Sequence, residues 1–332
     1  MDFRTPWSVC AAALVLSMSA GFANAASYNL IALSAPGLPQ TQVWDINNHG
    51  DVLVTGFGPA ATDSGSWVWN AGTYTPISGP GGSFSSAALG ISDGGAIVGS
   101  ATFDAPVFDV DGNQINSTPS HGYVFAGGVY TILDKPGATD TVLRGISPDG
   151  RYISGYGVGD TGLSSGFVYD RATSTFTSLD VARSLTNIPQ GISSAGLLVG
   201  SDIISGPPTR RVGYIVDIAT STRTDVLVPG SSRTSFRDIN SQGTIVGWAT
   251  DAGGIHGLIG APGGFQFFDV PGATTTTLEG INDAGAISGI YDDAFGNSFG
   301  FVAIPVPEPT SAALLVLGLA GLAPALRRRR DA

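Results

Sequence analysis

The sequence predicts an all-β fold: a six-bladed β-propeller of four-stranded blades, the last blade closed by the N-terminal strand. Three observations predict it. A short glycine-centred motif returns six times along the chain. The composition, with 48 Gly among 332 residues and many Val, Ile, Thr, Ser, Phe and Tyr, is that of strands and turns. The last unit lacks a fourth strand, and a spare one stands at the start of the chain.

The motif reads DINNHGDVLVTG from Asp45 and GISDGGAIVGSA from Gly90. It continues as GISPDGRYISGY from Gly145, GISSAGLLVGSD from Gly191, DINSQGTIVGWA from Asp238 and GINDAGAISGIY from Gly280. Its turn glycines, Gly50, Gly95, Gly150, Gly196, Gly243 and Gly285, are spaced by 45, 55, 46, 47 and 42 residues. Internal repeats of that length point to a propeller or a solenoid. The isoleucine of each unit ends a first strand, and the turn glycine supplies a positive φ. A second strand follows and ends at a further glycine: Gly56, Gly99, Gly155, Gly200, Gly247 or Gly289.

Third strands begin at Ser66, His121, Ser165, Val212, His256 and Phe299, mostly as Gly followed by an aromatic or apolar residue. Fourth strands begin at Tyr74, Tyr130, Phe176, Thr224 and Phe265. Pro-Gly turns follow most of them, as at Pro136-Gly137. The sixth fourth strand is YNLIAL, from Tyr28, with Pro36-Gly37 behind it. A ring closed in this way leaves no open edge between first and last units. A stacked β-solenoid is the alternative, and it would require distinct caps instead of complementary ends.

The two ends read differently from the body. Residues 1–25 carry Arg4, an apolar run over residues 9–20 and Ala23-Asn24-Ala25, the order of a secretory signal peptide cut before Ala26. The repeat domain covers residues 26–304. Residues 305–332 contain Pro307-Glu308-Pro309, an apolar stretch over 310–326 and the cluster Arg327, Arg328, Arg329 and Arg330. Seventeen apolar residues are the lower limit for a transmembrane helix, and the arginines place its C-terminus on the cytoplasmic side. The two prolines hold the segment around Glu308 extended. A plain single-pass anchor fits the helix and arginines equally well.

This tail resembles the PEP-CTERM sorting signal in all three of its parts. The resemblance implies recognition by an exosortase, a membrane-embedded cysteine peptidase, and removal of the helix, in Gram-negative-type bacteria that make exopolysaccharide. The protein would be exported through the inner membrane, anchored until cleaved, then released to the cell surface or beyond. The repeats resemble the extracellular HAF-type repeat, most fully at residues 267–301. That resemblance implies a secreted or envelope role and assigns no reaction.

Between Ala26 and Val306 there are 10 basic and 23 acidic residues. Nucleic acid and anionic lipid are poor partners for such a surface. The one cysteine, Cys10, lies in the signal peptide, so the mature chain has no disulfide, thiol nucleophile or thiolate metal site. No cofactor is expected. His121 and His256 occupy the same place in two repeats, which favours structural hydrogen bonding; His49 falls in a turn. Asp109, Asp111 and Asn113 begin like a calcium loop, yet the twelfth position is Ser120 in place of Glu. Asp292, Asp293 and Asn297 form a similar polar turn. Ordinary turns explain both, and a loose calcium site is the other reading.

One position varies where the rest of the motif repeats: Trp44, Leu89, Arg144, Gln190, Arg237 and Glu279. Packing keeps core positions alike, so this position faces solvent or lines a site. If the first strands are innermost, the six side chains ring the axis and could bind a polar, sugar-like ligand. The expected function is therefore a non-enzymatic surface or matrix protein that binds polysaccharide or another envelope component. Two alternatives are a glycosidase or lyase acting on exopolysaccharide and a purely structural coat. The enzyme would need paired carboxylates. Glu279 and Glu308 are the only glutamates, and aspartates such as Asp134, Asp180 and Asp269 recur by repeat.

Overall fold

The computed structural model describes residues 28–306 apart from 60–63, 108, 110, 112, 113, 115 and 180–183. Residues 1–25, expected to be a signal peptide, Pro307, Glu308, Pro309, the apolar stretch and the four terminal arginines lie outside the described residues, as do Asn113 and Asp180. Among the described residues no helix is long and apolar enough to cross a membrane.

The chain from Tyr28 to Pro305 folds as an all-β propeller of four-stranded antiparallel sheets. The N-terminal strand is β1 (Tyr28–Leu33). The first sheet is β2 (Gln40–Ile46), β3 (Val52–Phe57), β4 (Ser64–Asn70) and β5 (Thr73–Ile77). The second is β6 (Ser85–Ile91), β7 (Ile97–Thr102), β8 (Ser120–Ala126) and β9 (Val129–Ile132). Then come β10 (Asp140–Ile146), β11 (Tyr152–Val158), β12 (Ser164–Asp170) and β13 (Thr175–Ser178). The next meander is β14 (Ser184–Ile192), β15 (Leu197–Ile204), β16 (Arg210–Asp217) and β17 (Thr222–Val226). One parallel pair, Ser164 with Thr186, joins these last two meanders into an eight-stranded sheet. A further sheet is β18 (Arg233–Ile239), β19 (Ile245–Thr250), β20 (Ile255–Gly260) and β21 (Gln266–Phe268).

The final sheet holds β22 (Thr275–Ile281), β23 (Ile287–Asp292) and β24 (Ser298–Pro305), and β1 supplies its outer strand. Six residue pairs run from Tyr28 opposite Pro305 to Leu33 opposite Gly300. The first and last stretches of the repeat domain thus share one sheet, as the strand count in the sequence predicts.

Each first strand ends at its isoleucine because the following Asn or Ser closes a tight turn. In the first unit Asn47 N–H donates to Asp51 O at 3.0 Å and Gly50 N–H to Asn47 O at 3.1 Å, with Gly50 at φ 79°. A second device holds the Pro-Gly corners. The buried hydroxyls of Thr41, Thr141, Thr234 and Thr276 accept from the backbone N–H of Ala35, Lys135, Val228 and Val270 at 2.9–3.1 Å. These threonines recur at one place in the first strand, a signal present in the sequence that the repeat reading passed over.

One expectation is corrected. The second strands do not stop at their glycine; β7 runs on from Gly99 to Thr102 and β15 from Gly200 to Ile204. The glycine is needed because the first strand crosses closely there. A Cβ on Gly155 would lie 2.5 Å from the Val142 carbonyl oxygen and 2.9 Å from the Phe167 ring.

The core lies between neighbouring sheets. Val98 and Val124 of one sheet pack with Leu143, Ile153 and Phe167 of the next. Val199 packs with Phe236, Ile245 and Leu258 in the same manner. With burial of such side chains worth about 1.5–3 kcal/mol each, these layers hold the sheets face to face without a disulfide.

Candidate functional site

The six variable positions come together at the centre. In every sheet the register between first and second strands shifts just before the terminal isoleucine. The shifts fall between Val43 and Ile46, Ala88 and Gly90, Leu143 and Gly145, Pro189 and Ile192, Phe236 and Asp238, and Leu278 and Gly280. A bulge of this kind leaves a residue unpaired and re-aims its side chain. Trp44, Leu89, Arg144, Gln190, Arg237 and Glu279 are the residues so displaced, and all six line one axial cavity.

They fill most of that space themselves. Arg144 Nε donates to Gln190 Oε1 at 2.9 Å, and its guanidinium lies 5.5 Å from the Trp44 ring. Arg237 Nε stands 3.2 Å from Glu279 Oε2. Trp44 Nε1 donates to Thr55 Oγ1 at 3.2 Å. The remaining cavity is about 40 Å³, room for a few waters, whereas ligand pockets run to about 300–1,000 Å³. The six side chains thus surround one place, and the space left among them is smaller than such pockets. Nor is the position a surface one: Leu89, Gln190 and Glu279 are buried. Burial, with Arg237 as a like-charged neighbour, lowers the Arg144 pKa to about 10.

Sequence reasoning missed the two acids beside the ring. Asp45 and Asp238 stand where the other four units have Gly90, Gly145, Gly191 and Gly280. Asp45 accepts from Ile46 N–H and, across to the next sheet, from Ile91 N–H, both at 2.8 Å. Asp238 accepts from Ile239 N–H and Ile281 N–H, again at 2.8 Å. Desolvation raises the Asp45 carboxyl to about 7, against the pull of its two backbone donors. Burial and the Asp45 charge push Asp238 up as well. The departure from glycine in two of six units was the available signal.

Glycine elsewhere makes this packing possible. A Cβ on Gly191 would lie 2.6 Å from Asp238 Cα, and one on Gly280 would lie 2.9 Å from Asp45 Cα. Backbone cannot yield there cheaply, so Gly191→Ala is expected to lower stability by about 2 kcal/mol. Urea unfolding checks this; an unchanged midpoint would mean the axis is looser than described.

At one mouth of the axis the Asn-x-x-Gly turns bond to one another. Asn47 Nδ2 donates to Ser92 O, Asn240 Nδ2 to Asn282 O, and Asn282 Nδ2 to Asn47 O, at 3.1–3.2 Å. The Asp93 carboxylate accepts from Asn48, and that of Asp283 from Ser241 and Asn48. The link from Asn282 to Asn47 joins residues 235 apart and seals the last unit to the first.

The remaining sequence candidates are turn and sheet fixtures. His121 Nδ1 lies 2.7 Å from Asp134 Oδ2 and His256 Nδ1 lies 2.8 Å from Asp269 Oδ2, the same pairing in two units. The Asp269 carboxylate raises the His256 pKa. His49 is exposed in its turn. Asp292 accepts from the Thr275 and Ser298 hydroxyls. Asp293 accepts from the Phe295 and Asn297 amides and from Asn297 Nδ2, which lowers its pKa. Asp109 Oδ1 accepts from Asp111 N–H at 2.9 Å. Among the described residues no group of three His, Cys, Asp or Glu is arranged to hold a metal ion.

No protein-family model and no curated protein matches this chain. Solved structures do. One is a protein assigned as TolB from Agrobacterium tumefaciens, at 15% identity and a TM-score of 0.53, covering 81% of this chain and 91% of that one. Another comes from a study of two prolyl endopeptidases, at 14% identity and a TM-score of 0.50. That match covers 82% of this chain and 44% of the other. At such identities the likeness establishes the propeller fold alone.

Proposed function

We propose that this chain is an exported six-bladed β-propeller, released from a C-terminal anchor by an exosortase, that serves as a non-enzymatic binding or structural component of an exopolysaccharide matrix. The observation that carries the non-enzymatic reading is the engagement of the axial acids. Asp45 and Asp238 are bonded to backbone amides of adjacent sheets, and Glu279 faces Arg237. Carboxylates used to join blades are poorly placed to share a substrate as a glycosidase pair does. Support for the location comes from the ends: Arg4 and Ala23-Asn24-Ala25 at one, Pro307-Glu308-Pro309 and Arg327 to Arg330 at the other.

The reading of six blades is supported by the sheets in sequence order, if the eight-stranded sheet is taken as two blades joined by the single pair Ser164 and Thr186. The outer faces and loops, which the axial packing leaves untouched, are where a polysaccharide would be held. Mass spectrometry of the protein from its natural host should find a C-terminus upstream of the apolar stretch and no peptide ending at Ala332. The same material should co-sediment with host exopolysaccharide. A natural terminus at Ala332 removes the processing step from the proposal. Depolymerisation of that polysaccharide, abolished in Asp238→Gly, would replace binding by catalysis.

A further inference from the structure

One inter-blade slot is built differently from its counterparts. Four blades place an aromatic ring, in or just before the fourth strand, against the preceding blade: Tyr74, Tyr130, Phe176 and Phe265. Tyr74 Oη accepts from Ser34 N–H, and Tyr130 Oη donates to Ser78 O, each reaching the chain just beyond the neighbouring fourth strand. Phe176 packs with Leu133 and Val124, and Phe265 with Val226 and Phe236. In β17 the same place, opposite Val216, holds Arg223.

A second exchange accompanies the first. Where β7, β11 and β19 have Ala101, Gly157 and Ala249, β15 has Asp202, fully buried. Arg223 Nη2 donates to Asp202 Oδ2 at 2.9 Å and Arg223 Nε to Asp225 Oδ1 at 2.7 Å. Its guanidinium lies 4.1 Å from the Tyr214 ring, where two other blades set a ring edge-on, Tyr123 with Tyr130 and Phe167 with Phe176. Drawn toward Asp202, the arginine leaves part of the aromatic place empty. A cavity of about 160 Å³ lies there, lined by Val168, Leu179, Val216 and Ile218, with Thr177 and Ser221 exposed at its rim. Arg223 lines it too, and among the described residues Arg223 Nη1 is a buried donor without a hydrogen-bond partner.

The geometry points to a binding site for a phenol-class ring in this slot, its face against Val168, Leu179, Val216 and Ile218 and its oxygen accepting from Arg223 Nη1. Val168 and Leu179 stand where Val124 and Leu133 pack around the Phe176 ring one blade earlier, so a six-membered aromatic ring suits the slot. The orphan donor asks for an acceptor, because a buried N–H without one costs free energy. The Asp202 and Asp225 carboxylates already balance the guanidinium, so a neutral phenol suits the site better than an anion. The ring could belong to a small phenol or to a tyrosyl side chain.

The test is calorimetric titration of the full chain with p-cresol, followed by toluene, methyl glucoside and the tripeptide Gly-Tyr-Gly. Saturable binding of p-cresol is expected, with toluene at least fivefold weaker for want of the oxygen. Binding of the tripeptide as well would assign the tyrosyl source, and its failure the small phenol. Restoring the repeat's own residues in the double variant D202A/R223F should weaken p-cresol at least tenfold. Leu179→Phe, which fills the slot and leaves the ion pair alone, should do the same. No saturable p-cresol binding by the unaltered chain overturns the inference. Undiminished binding in the filled variants, toluene equal to p-cresol, or methyl glucoside bound in its place would each do so too.

Discussion

Deleting Tyr28–Leu33 should destabilise the whole ring by on the order of 5 kcal/mol, lowering the melting temperature by roughly 10–15 °C. The estimate rests on what β1 buries and what it covers. Leu33 is 2% exposed and packs with Ala35, Val43 and Val302, and Ile31 packs against the same cluster. Tyr28 stacks edge-on to Phe268 at 5.2 Å. Without β1, six residues of β24 lose their partners, and an open edge of that length invites association with other chains. The truncated protein should therefore melt early and aggregate. A synthetic peptide of the β1 sequence, added in excess, should restore part of the lost stability. Equal melting temperatures for the two forms would refute closure of the ring through the N-terminal strand.

That closure could be read from the chain because it is a matter of counting. Six glycine-centred turns and six fourth-strand patterns, one of them displaced to the start, leave few other arrangements. The turns were legible for a local reason: Gly50 and its counterparts take positive φ, between 74° and 82°, and few residues other than glycine do so readily. The ring of variable side chains was legible as well, because Trp44, Arg144, Gln190 and Glu279 cannot serve one packing role.

What the sequence withheld depends on contacts between units. The bulge that turns Arg144 and Arg237 toward the axis breaks the two-residue alternation of a strand. Its trace is the three-residue step between buried Leu143 and Ile146, and between Phe236 and Ile239. That step is short enough to pass for the end of a strand. The small size of the axial cavity could not be read either, since it depends on Arg144 bonding to Gln190 of the next repeat unit. Beyond their departure from glycine, Asp45 and Asp238 carry no distinctive signal, because aspartate is common before turns. Their partners, Ile91 and Ile281, are more than forty residues away. Arg223 was hidden likewise: its place in the aromatic row emerges only when the strand register is fixed.

The two half-buried axial acids should make the fold less stable in mild alkali than in mild acid. A carboxyl whose pKa is raised on folding holds its proton more tightly in the native state. Its contribution is fully present below the unfolded value near 4 and is lost as pH rises through the folded value. For Asp45 that folded value is about 7, so between pH 5 and pH 8 the native state should lose roughly 3 kcal/mol. Asp238 is displaced in the same direction and adds to the loss. Asp93 raises the Asp45 value, and Asp283 that of Asp238. Glu279 also lines the cavity, and Arg144 and Arg237 oppose these charges there. The melting temperature should accordingly fall by roughly 5–10 °C from pH 5 to pH 8. His256, also raised, acts in the same sense near the surface, so the wild-type curve alone does not assign the effect. The double variant D45G/D238G, which installs the glycine of the other four units, separates the two. It gives up four backbone hydrogen bonds and should be less stable at pH 5, yet its melting temperature should change little up to pH 8. A wild-type profile that is flat over this range, or a double variant as steep as the wild type, would mean that the axial carboxyls keep their charge and that something other than their protons joins the blades.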